Sequence, residues 1–411
     1  MALSWRDASR RLSQEANSIV QRVTKLIDDT REARRHGGIG PARIARDLIV
    51  LNLTHWLGVR AYFQYRLFDP SLTLQEKSEY LPDSRWATER LWSLLTPRRY
   101  RLPFDNKLIF NRVFGGAGLP VPSLLGVYDP EVGETVDGRP LRTADDLRSW
   151  LRTAPADGFV FKPVWGIGGS QVLVFTGSAP DSSETAVTLA GDRFDAERLV
   201  QISRTPPKVE SSAAVRSQTY LLEQRIVPHP RLVELAGPTL SCVRVVTLIG
   251  LDGVPAILGA VYKIQPEPLG IDHLSHGAIG SWVDLERGTL GAGRSRHHFG
   301  YTAVIPGTDR GFIGFQLPHW AEVKKIAVQA ATVMPWARAI GWDIGISERG
   351  PILIEGNAEW STALLQIPAP RGLMTGELKR LYDTLAAART TRRWGRRPGR
   401  TSSVAKPAAG P

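Results

Sequence analysis

The spacing of apolar positions changes character near residue 105. Over residues 1–36, Ile19, Val20, Val23 and Ile27 recur near helical spacing among Arg, Lys and Glu, and predict a helix. Gly37, Gly38, Gly40 and Pro41 break that pattern. A second helical stretch is predicted over about 42–68, where Ile44, Leu48, Leu51, Trp56, Tyr62 and Tyr65 are interspersed with Arg43, Arg46, Arg60 and Arg66. It reads as a core-facing helix with a basic outer face. The alternative, an interfacial membrane helix, is less favoured, because its polar residues are not cleanly on one side.

Beyond residue 105 the runs shorten. Phe110 to Leu119 predicts a short helix ending at Gly118, and 143–153 a helix capped by Thr143 with Asp145 and Asp146 in its first turn. Strand-like runs follow at 124–128, 159–161, 172–175, 220–223, 243–249 and 257–262. A helix over about 319–340, with Pro335 near its end, precedes two short strands at 342–346 and 352–355, joined by residues 348–351. The predicted class is α+β with mostly antiparallel strands. From about Thr390 the composition is that of a disordered tail.

Composition narrows the class. Of 411 residues, 42% are hydrophobic and 22% charged, as in a globular chain. The single cysteine, Cys242, excludes an internal disulfide and any cysteine-based zinc or iron–sulfur centre. No apolar signal core follows Met1, and no window has the apolar length of a membrane span, so a cytoplasmic protein is expected. The net charge of +12 lies at the two ends. Residues 1–104 carry 18 basic and 11 acidic side chains, residues 371–411 carry 10 and 2, and the middle carries 24 and 27. A slightly acidic centre argues against a nucleic-acid groove and suits a protein that gathers metal ions. The basic ends suit a peripheral contact with anionic membrane or glycan, with the inner membrane face as an alternative location.

Three separated elements carry candidate chemistry. In the first, Lys162 precedes the glycine-rich loop Gly166, Gly168, Gly169, Ser170 between two strands. This is neither a Walker loop nor a dinucleotide fingerprint, yet unhindered backbone N–H groups and an ammonium can hold phosphates. In the second, two short strands place Asp343 beside Glu355, with Asn357 two residues further on the same side. Two carboxylates and an amide oxygen make a hard donor set suited to Mg²⁺. The third, Asp105-Asn106-Lys107 at a helix start, reads by itself as a surface lysine after an N-cap.

Taken in order, these elements resemble the ATP-grasp superfamily. More narrowly, Asn106-Lys107 through Tyr128, Leu222 to Pro230, Val243 to Thr247, Val283 to Leu285 and Gly341-Trp342-Asp343 with Glu355-Gly356-Asn357 look like its sugar-transfer-associated, α-L-glutamate-ligase-related branch. The resemblance implies two α+β lobes with antiparallel sheets gripping ATP, preceded by a helical basic leader. It places the leader at 1–104, the catalytic region at 105–387 (subdivided 105–158, 159–226 and 227–387) and a basic tail at 388–411. Lys107 and Lys162 would contact nucleotide phosphates, and Gly166, Gly168, Gly169 and Ser170 would form a flap. Glu223, Gln224, Arg225 and Ile226 would be the hinge strand offering backbone groups to adenine. Asp343, Glu355 and Asn357 would hold one or two Mg²⁺, with Mn²⁺ as a substitute.

One departure matters. The D-alanine–D-alanine ligase branch has an arginine two residues before its metal-binding aspartate, and here that position is Gly341. Arg244 is the first candidate to replace it, and Lys263 on the next strand the second. The implied activity is amide-forming ligation of a small-molecule or glycan carboxylate to an amine through an acyl-phosphate, with Arg244, Lys162 and Lys263 as catalytic candidates. The branch suggests cell-surface polysaccharide modification. The stretch 270–280, with His273 and His276, is the expected acceptor region. The alternatives are an ATP-grasp kinase acting on a hydroxyl, and a non-enzymatic RNA- or membrane-surface-binding protein.

Overall fold

Alternating large apolar side chains build the first of two sheets. The computed structural model describes residues 5–166, 169–205, 218–265, 278–295 and 300–395. Seven strands form the first sheet: β1 (Leu124–Tyr128), β2 (Glu134–Thr135), β3 (Phe159–Pro163), β4 (Leu173–Ala179), β5 (Ser182–Thr188), β6 (Arg193–Phe194) and β7 (Tyr220–Gln224). Their spatial order is β2-β1-β7-β3-β4-β5-β6. Phe159, Phe161, Phe175, Tyr220 and Leu222 point to one face and pack with Leu147, Trp150, Leu151 and Leu199 from the helices Ala144–Leu151 and Ala196–Ser203. The period of two sends Val160, Lys162, Leu221 and Glu223 to the other face. The predicted Thr143 cap forms: Thr143 Oγ1 accepts from the Asp146 N–H at 3.1 Å, and Asp146 accepts from the Thr143 N–H at 3.0 Å.

The second sheet contains β8 (Val243–Ile249), β9 (Pro255–Ile264), β10 (Ile279–Val283), β11 (Leu290–Arg294), β12 (Ala339–Ser347) and β13 (Gly350–Asn357), in the order β11-β10-β9-β8-β12-β13. All strand pairings in both sheets are antiparallel among the described residues. Every residue of β8 is buried, because both faces are covered. On one face lies the helix Trp320–Val333, whose Val323, Ile326, Ala327 and Ala330 meet Val243, Val245, Trp342 and Ile344. Part of the opposite face is apolar: Val246, Leu248, Val261 and Ala339 pack with Leu81, Leu91, Trp92 and Leu95 of the leader and with Leu364 and Leu365. The rest of that face is charged.

Several boundaries differ from expectation. The stretch 42–68 is two helices, Pro41–His55 and Val59–Gln64, because Trp56 takes a left-handed conformation (φ +58°) and Leu57 turns into the core. The helix expected over 319–340 stops at Val333, ahead of Pro335, which has no N–H to continue it, and the chain re-enters the sheet at Ala339. The short helix begins at Lys107 rather than Phe110, where Asn106 Oδ1 accepts from the Ile109 N–H at 3.0 Å, and it ends at Gly116. Ser347 pairs directly with Gly350, which leaves only Glu348 and Arg349 as the hairpin loop. The last helix, Gly376–Gly395, carries helical structure past Thr390, since its Ala and Arg residues favour helix. Gly168, residues 266–277 with His273 and His276, and the tail 396–411 lie outside the described residues.

The leader has its own core of Ile44, Leu51, Tyr62, Phe63 and Phe68, and within it sits an ion pair. Lys77 Nζ lies 2.5 Å from Asp47 Oδ2, with the Tyr62 hydroxyl donating to the same oxygen at 3.3 Å. Lys77→Met leaves a buried carboxylate unpaired and is expected to cost about 3–5 kcal/mol, read as a lower denaturation midpoint. Adding Asp47→Leu to that variant is expected to recover most of the loss.

Candidate active site

A charged residue in an otherwise apolar strand must find a partner if it is buried, because an unpaired buried charge costs several kcal/mol. Three strands of the second sheet each bring one such residue to the same face. Arg244 stands opposite Asp343 in the β8–β12 register, and Asp343 stands opposite Glu355 in the β12–β13 register. Arg244 Nε and Nη2 donate to the two Asp343 oxygens, both at 2.8 Å, in a bidentate fork. Lys263 Nζ lies 3.3 Å from Asp343 Oδ1. All three side chains are under 10% exposed, so solvent does little to screen them. Burial alone would raise the Asp343 pKa. The Arg244 and Lys263 charges outweigh it and hold the carboxyl well below its ordinary value of 3.8.

Gly341 explains how Arg244 reaches this position. A Cβ at 341 would lie 2.7 Å from Trp360 Cβ and 3.1 Å from Arg244 Cδ. The methylenes of Arg244 therefore lie in the space that a side chain at 341 would need. The expected arginine is missing from position 341, and an arginine from the neighbouring strand passes over it.

Glu355 and Asn357 complete the carboxylate edge. Asn357 Nδ2 donates to the Gly341 carbonyl at 3.3 Å and to Glu355 Oε1 at 3.4 Å, which turns its Oδ1 away from both acceptors. Among the described residues no cluster of three His, Cys, Asp or Glu side chains able to hold a metal ion is present, and a metal bound here would need the Asn357 amide oxygen as a third donor. Asp343, Glu355 and Asn357 Oδ1 offer hard oxygen donors of the kind that suit Mg²⁺, with both Asp343 oxygens also accepting from Arg244.

Two lysines complete the site, Lys162 from the first sheet and Lys107 from the start of the helix Lys107–Gly116, which packs against β13. Lys162, on β3, is 5% exposed, and its Nζ lies 2.6 Å from Glu223 Oε2 on β7. Lys107 is not a surface lysine. Its Nζ donates to the Gly166 carbonyl at 2.8 Å and lies 3.9 Å from Glu355 Oε2, joining the loop after β3 to the edge of the second sheet. Burial pulls its pKa down, opposed by Glu355 and reinforced by Lys162. Its backbone N–H donates to the Val164 carbonyl at 3.0 Å, which fixes the helix start against that loop. Gly169 is in a left-handed conformation (φ +71°) at the loop's return, and its carbonyl accepts from the Val172 N–H at 3.1 Å; Ser170 follows it.

The expected hinge is less simple than a strand offering its backbone. β7 is a central strand between β1 and β3 and ends at Gln224, so Arg225 and Ile226 lie beyond it. The Gln224 N–H is taken by the Ser123 carbonyl at 2.9 Å and the Arg225 N–H by the Gly158 carbonyl at 3.3 Å. The Glu223 side chain, not foreseen as a participant, pairs with Lys162. A lone glutamate in Tyr220-Leu221-Leu222-Glu223 was the available signal, and only the strand order supplied its partner.

Two antiparallel sheets, each with helices on its outer face and with buried lysines and carboxylates meeting between them, define an ATP-grasp fold. The chain belongs to the sugar-transfer associated ATP-grasp family, whose model matches residues 87–381. No curated protein matches in sequence. Among solved structures, biotin carboxylase from Campylobacter jejuni, in complex with β,γ-ATP, is similar over 69% of this chain and 46% of its own length, at 12% identity and TM-score 0.40. The ATP-grasp ligase PsnB with a precursor variant, Mg and ADP is similar at 16% identity, 71% and 61% coverage and TM-score 0.34. D-alanyl-alanine synthetase A from Vibrio cholerae is similar at 11% identity, 71% and 66% coverage and TM-score 0.39. The chain thus spans less than two thirds of each of these structures.

Gly341→Ala is expected to push Arg244 off Asp343 and lower stability by about 1–3 kcal/mol through overpacking, measured by chemical denaturation. The depressed Asp343 pKa also sets a sign with pH. Its stabilisation is complete above the unfolded value near 3.8 and is lost as pH falls toward the lower folded value. Thermal midpoints followed from neutral pH into acid should fall less steeply for Asp343→Asn than for the unsubstituted chain.

Proposed function

We propose that this protein is an ATP- and Mg²⁺-dependent ligase that joins a carboxylate to an amine, working on a small molecule or a glycan of cell-surface polysaccharide. The observation that carries this reading is Lys107, which bridges the loop after β3 and Glu355, beside the buried Lys162–Glu223 pair and the charged face formed by Arg244, Lys263 and Asp343. Lys107 and Lys162 are the groups that would neutralise nucleotide phosphates, with Gly166, Gly169 and Ser170 supplying the backbone of the loop over them. Glu355, Asp343 and Asn357 would hold the metal, which when bound supplies positive charge to the phosphate oxygens. Glu223 keeps Lys162 in place on β3, and Asp343 keeps Arg244 and Lys263 side by side.

In this reading the substrate carboxylate oxygen attacks the terminal phosphorus of ATP and ADP departs. Arg244 and Lys263, fixed by Asp343, offset the charge on the resulting acyl-phosphate. The amine then attacks the carbonyl carbon, the C–O bond to phosphate breaks and the amine loses a proton. The residues following Gln224 are the proposed adenine contact. Among the described residues no step requires a side-chain nucleophile.

Glu355→Gln is expected to abolish Mg²⁺-dependent ATP turnover with an unchanged circular dichroism spectrum; turnover at the original rate would remove the metal assignment. Arg244→Ala is expected to cut turnover by about 10²-fold or more, with a smaller change in ATP affinity. Both are read in a phosphate-release assay with pooled carboxylates and amines. Free phosphate in step with ADP is the ligase outcome, whereas a phosphorylated product would make the protein a kinase.

A further inference from the structure

We infer that this protein docks on anionic phospholipid bilayers through an apolar surface framed by its two basic ends. The inference does not depend on the catalytic reading. It starts from side chains that folding leaves outside. On the helix Pro41–His55 and the turn after it, Ile49, Leu53 and Trp56 follow one another at helical spacing and are 60%, 75% and 54% exposed. Trp86, at the start of the helix Arg85–Leu95, is 56% exposed, and its ring lies 4.6 Å from that of Trp56. Val59 adjoins them, and the helix Trp5–Gly37, which packs on Pro41–His55, exposes Val20, Val23 and Ile27 at helical spacing. Scattered exposed apolar residues are ordinary. Two exposed tryptophans in contact, continued by Leu53 and Ile49, are not.

The backbone reinforces the point. Trp56 ends its helix at φ +58°, a conformation that favours glycine and disfavours bulky side chains. The next residue, Leu57, is fully buried. The turn therefore drives Leu57 inward and holds Trp56 outward against Trp86, at a position where an unstrained cap would have no side chain to display.

Charge selects the partner. The helix Gly376–Gly395 packs along Arg85–Leu95, where Arg389 Nη1 donates to Ser93 Oγ at 2.8 Å, and Lys379 is close enough to His55 to help depress its pKa. The helix Gly376–Gly395 and the basic leader, far apart in sequence, thus adjoin in space. Arg46 lies one turn before Ile49 and Arg90 one turn after Trp86. Neither these two nor Arg389 forms an ion pair among the described residues. The neighbouring acids are already engaged, Asp83 with Arg60, Glu89 with Arg98 and Asp383 with Lys379. Aliphatic side chains, interfacial tryptophans and rim arginines together match a bilayer of acidic lipids, with acyl chains below and phosphates above. A nucleic acid would use the arginines and the rings, and would leave Leu53 and Ile49 in water. No helix among the described residues is long and apolar enough to cross a membrane, so the contact is peripheral.

The test is co-sedimentation of the full chain with phosphatidylcholine vesicles, with and without phosphatidylglycerol, while tryptophan emission is recorded. The expected result is binding to the phosphatidylglycerol vesicles with a blue shift, quenching by brominated acyl chains, and weakening by salt. Trp56→Ser with Trp86→Ser should reduce partitioning about tenfold or more, and Arg46→Gln with Arg90→Gln should reduce both binding and its salt dependence. Leu53→Asp, at a position three-quarters exposed, tests the same surface without touching the core. ATP turnover without vesicles should be unchanged in all three variants. Equal binding by Leu53→Asp and by the unsubstituted chain would overturn the inference. So would absence of binding to acidic vesicles, or a self-association abolished by the tryptophan substitutions, which would assign the surface to a second copy of the chain.

Discussion

The ion pair between Arg244 and Asp343 is the contact around which the charged face of the second sheet is organised. A carboxylate in the middle of β12, between Trp342 and Ile344, survives burial only because two cations from β8 and β9 meet it there. The dependence runs both ways. Asp343 in turn gives Arg244 and Lys263 one shared anionic partner on the buried face. Gly341 belongs to the same arrangement, since any side chain there would meet Arg244 and Trp360. The strands on this face therefore specify one another through charge and volume, beyond their backbone ladders.

Lys107 touches the loop after β3 and the carboxylate edge of β13, so its helix N-terminus spans the two sheets. The leader does more than precede the two sheets. Its Leu81, Leu91, Trp92 and Leu95 close the apolar half of the second sheet's charged face, and Tyr62 and Phe63 anchor a smaller core that includes Ala363 and Ile367. The residues left outside that packing, Leu53, Trp56 and Trp86, lie beside the basic last helix. One end of the chain thus stabilises the sheet and presents a surface.

Strands rich in Val, Ile and Phe, such as β3, β8 and β9, were legible because their apolar runs are unambiguous. β5, β10 and β11 were not, because Ser, Thr and Gly in those segments give no period, and β6 is only two residues long; these form strands only beside neighbours that supply the ladder. Asp343 was expected beside Glu355 because both lie on adjoining short strands, and they do pair, but only through a bulge that skips Ile354; even counting from Ser347–Gly350 would put Asp343 opposite Ile354. The partners of Arg244, Lys162 and Glu223 did not follow, since each contact joins strands whose adjacency is set by sheet order. The apparent 42–68 helix failed for a local reason: hydrophobic period alone cannot register a left-handed residue at Trp56.

What the sequence determined by itself was the chemistry available and much of the strand content. Period and turn residues act over a few neighbours, and the lysines, the glycine loop and the terminal carboxylates are written in local runs. Only the tertiary structure decided which charges neutralise which, why position 341 has no side chain, and that the last helix lies against the leader helix that carries one of two touching, exposed tryptophans. The physical reason is range. Propensity and amphipathic pattern are short-range properties of the chain, whereas burial, ion pairing and steric fit are properties of surfaces that exist only once distant strands and helices have met.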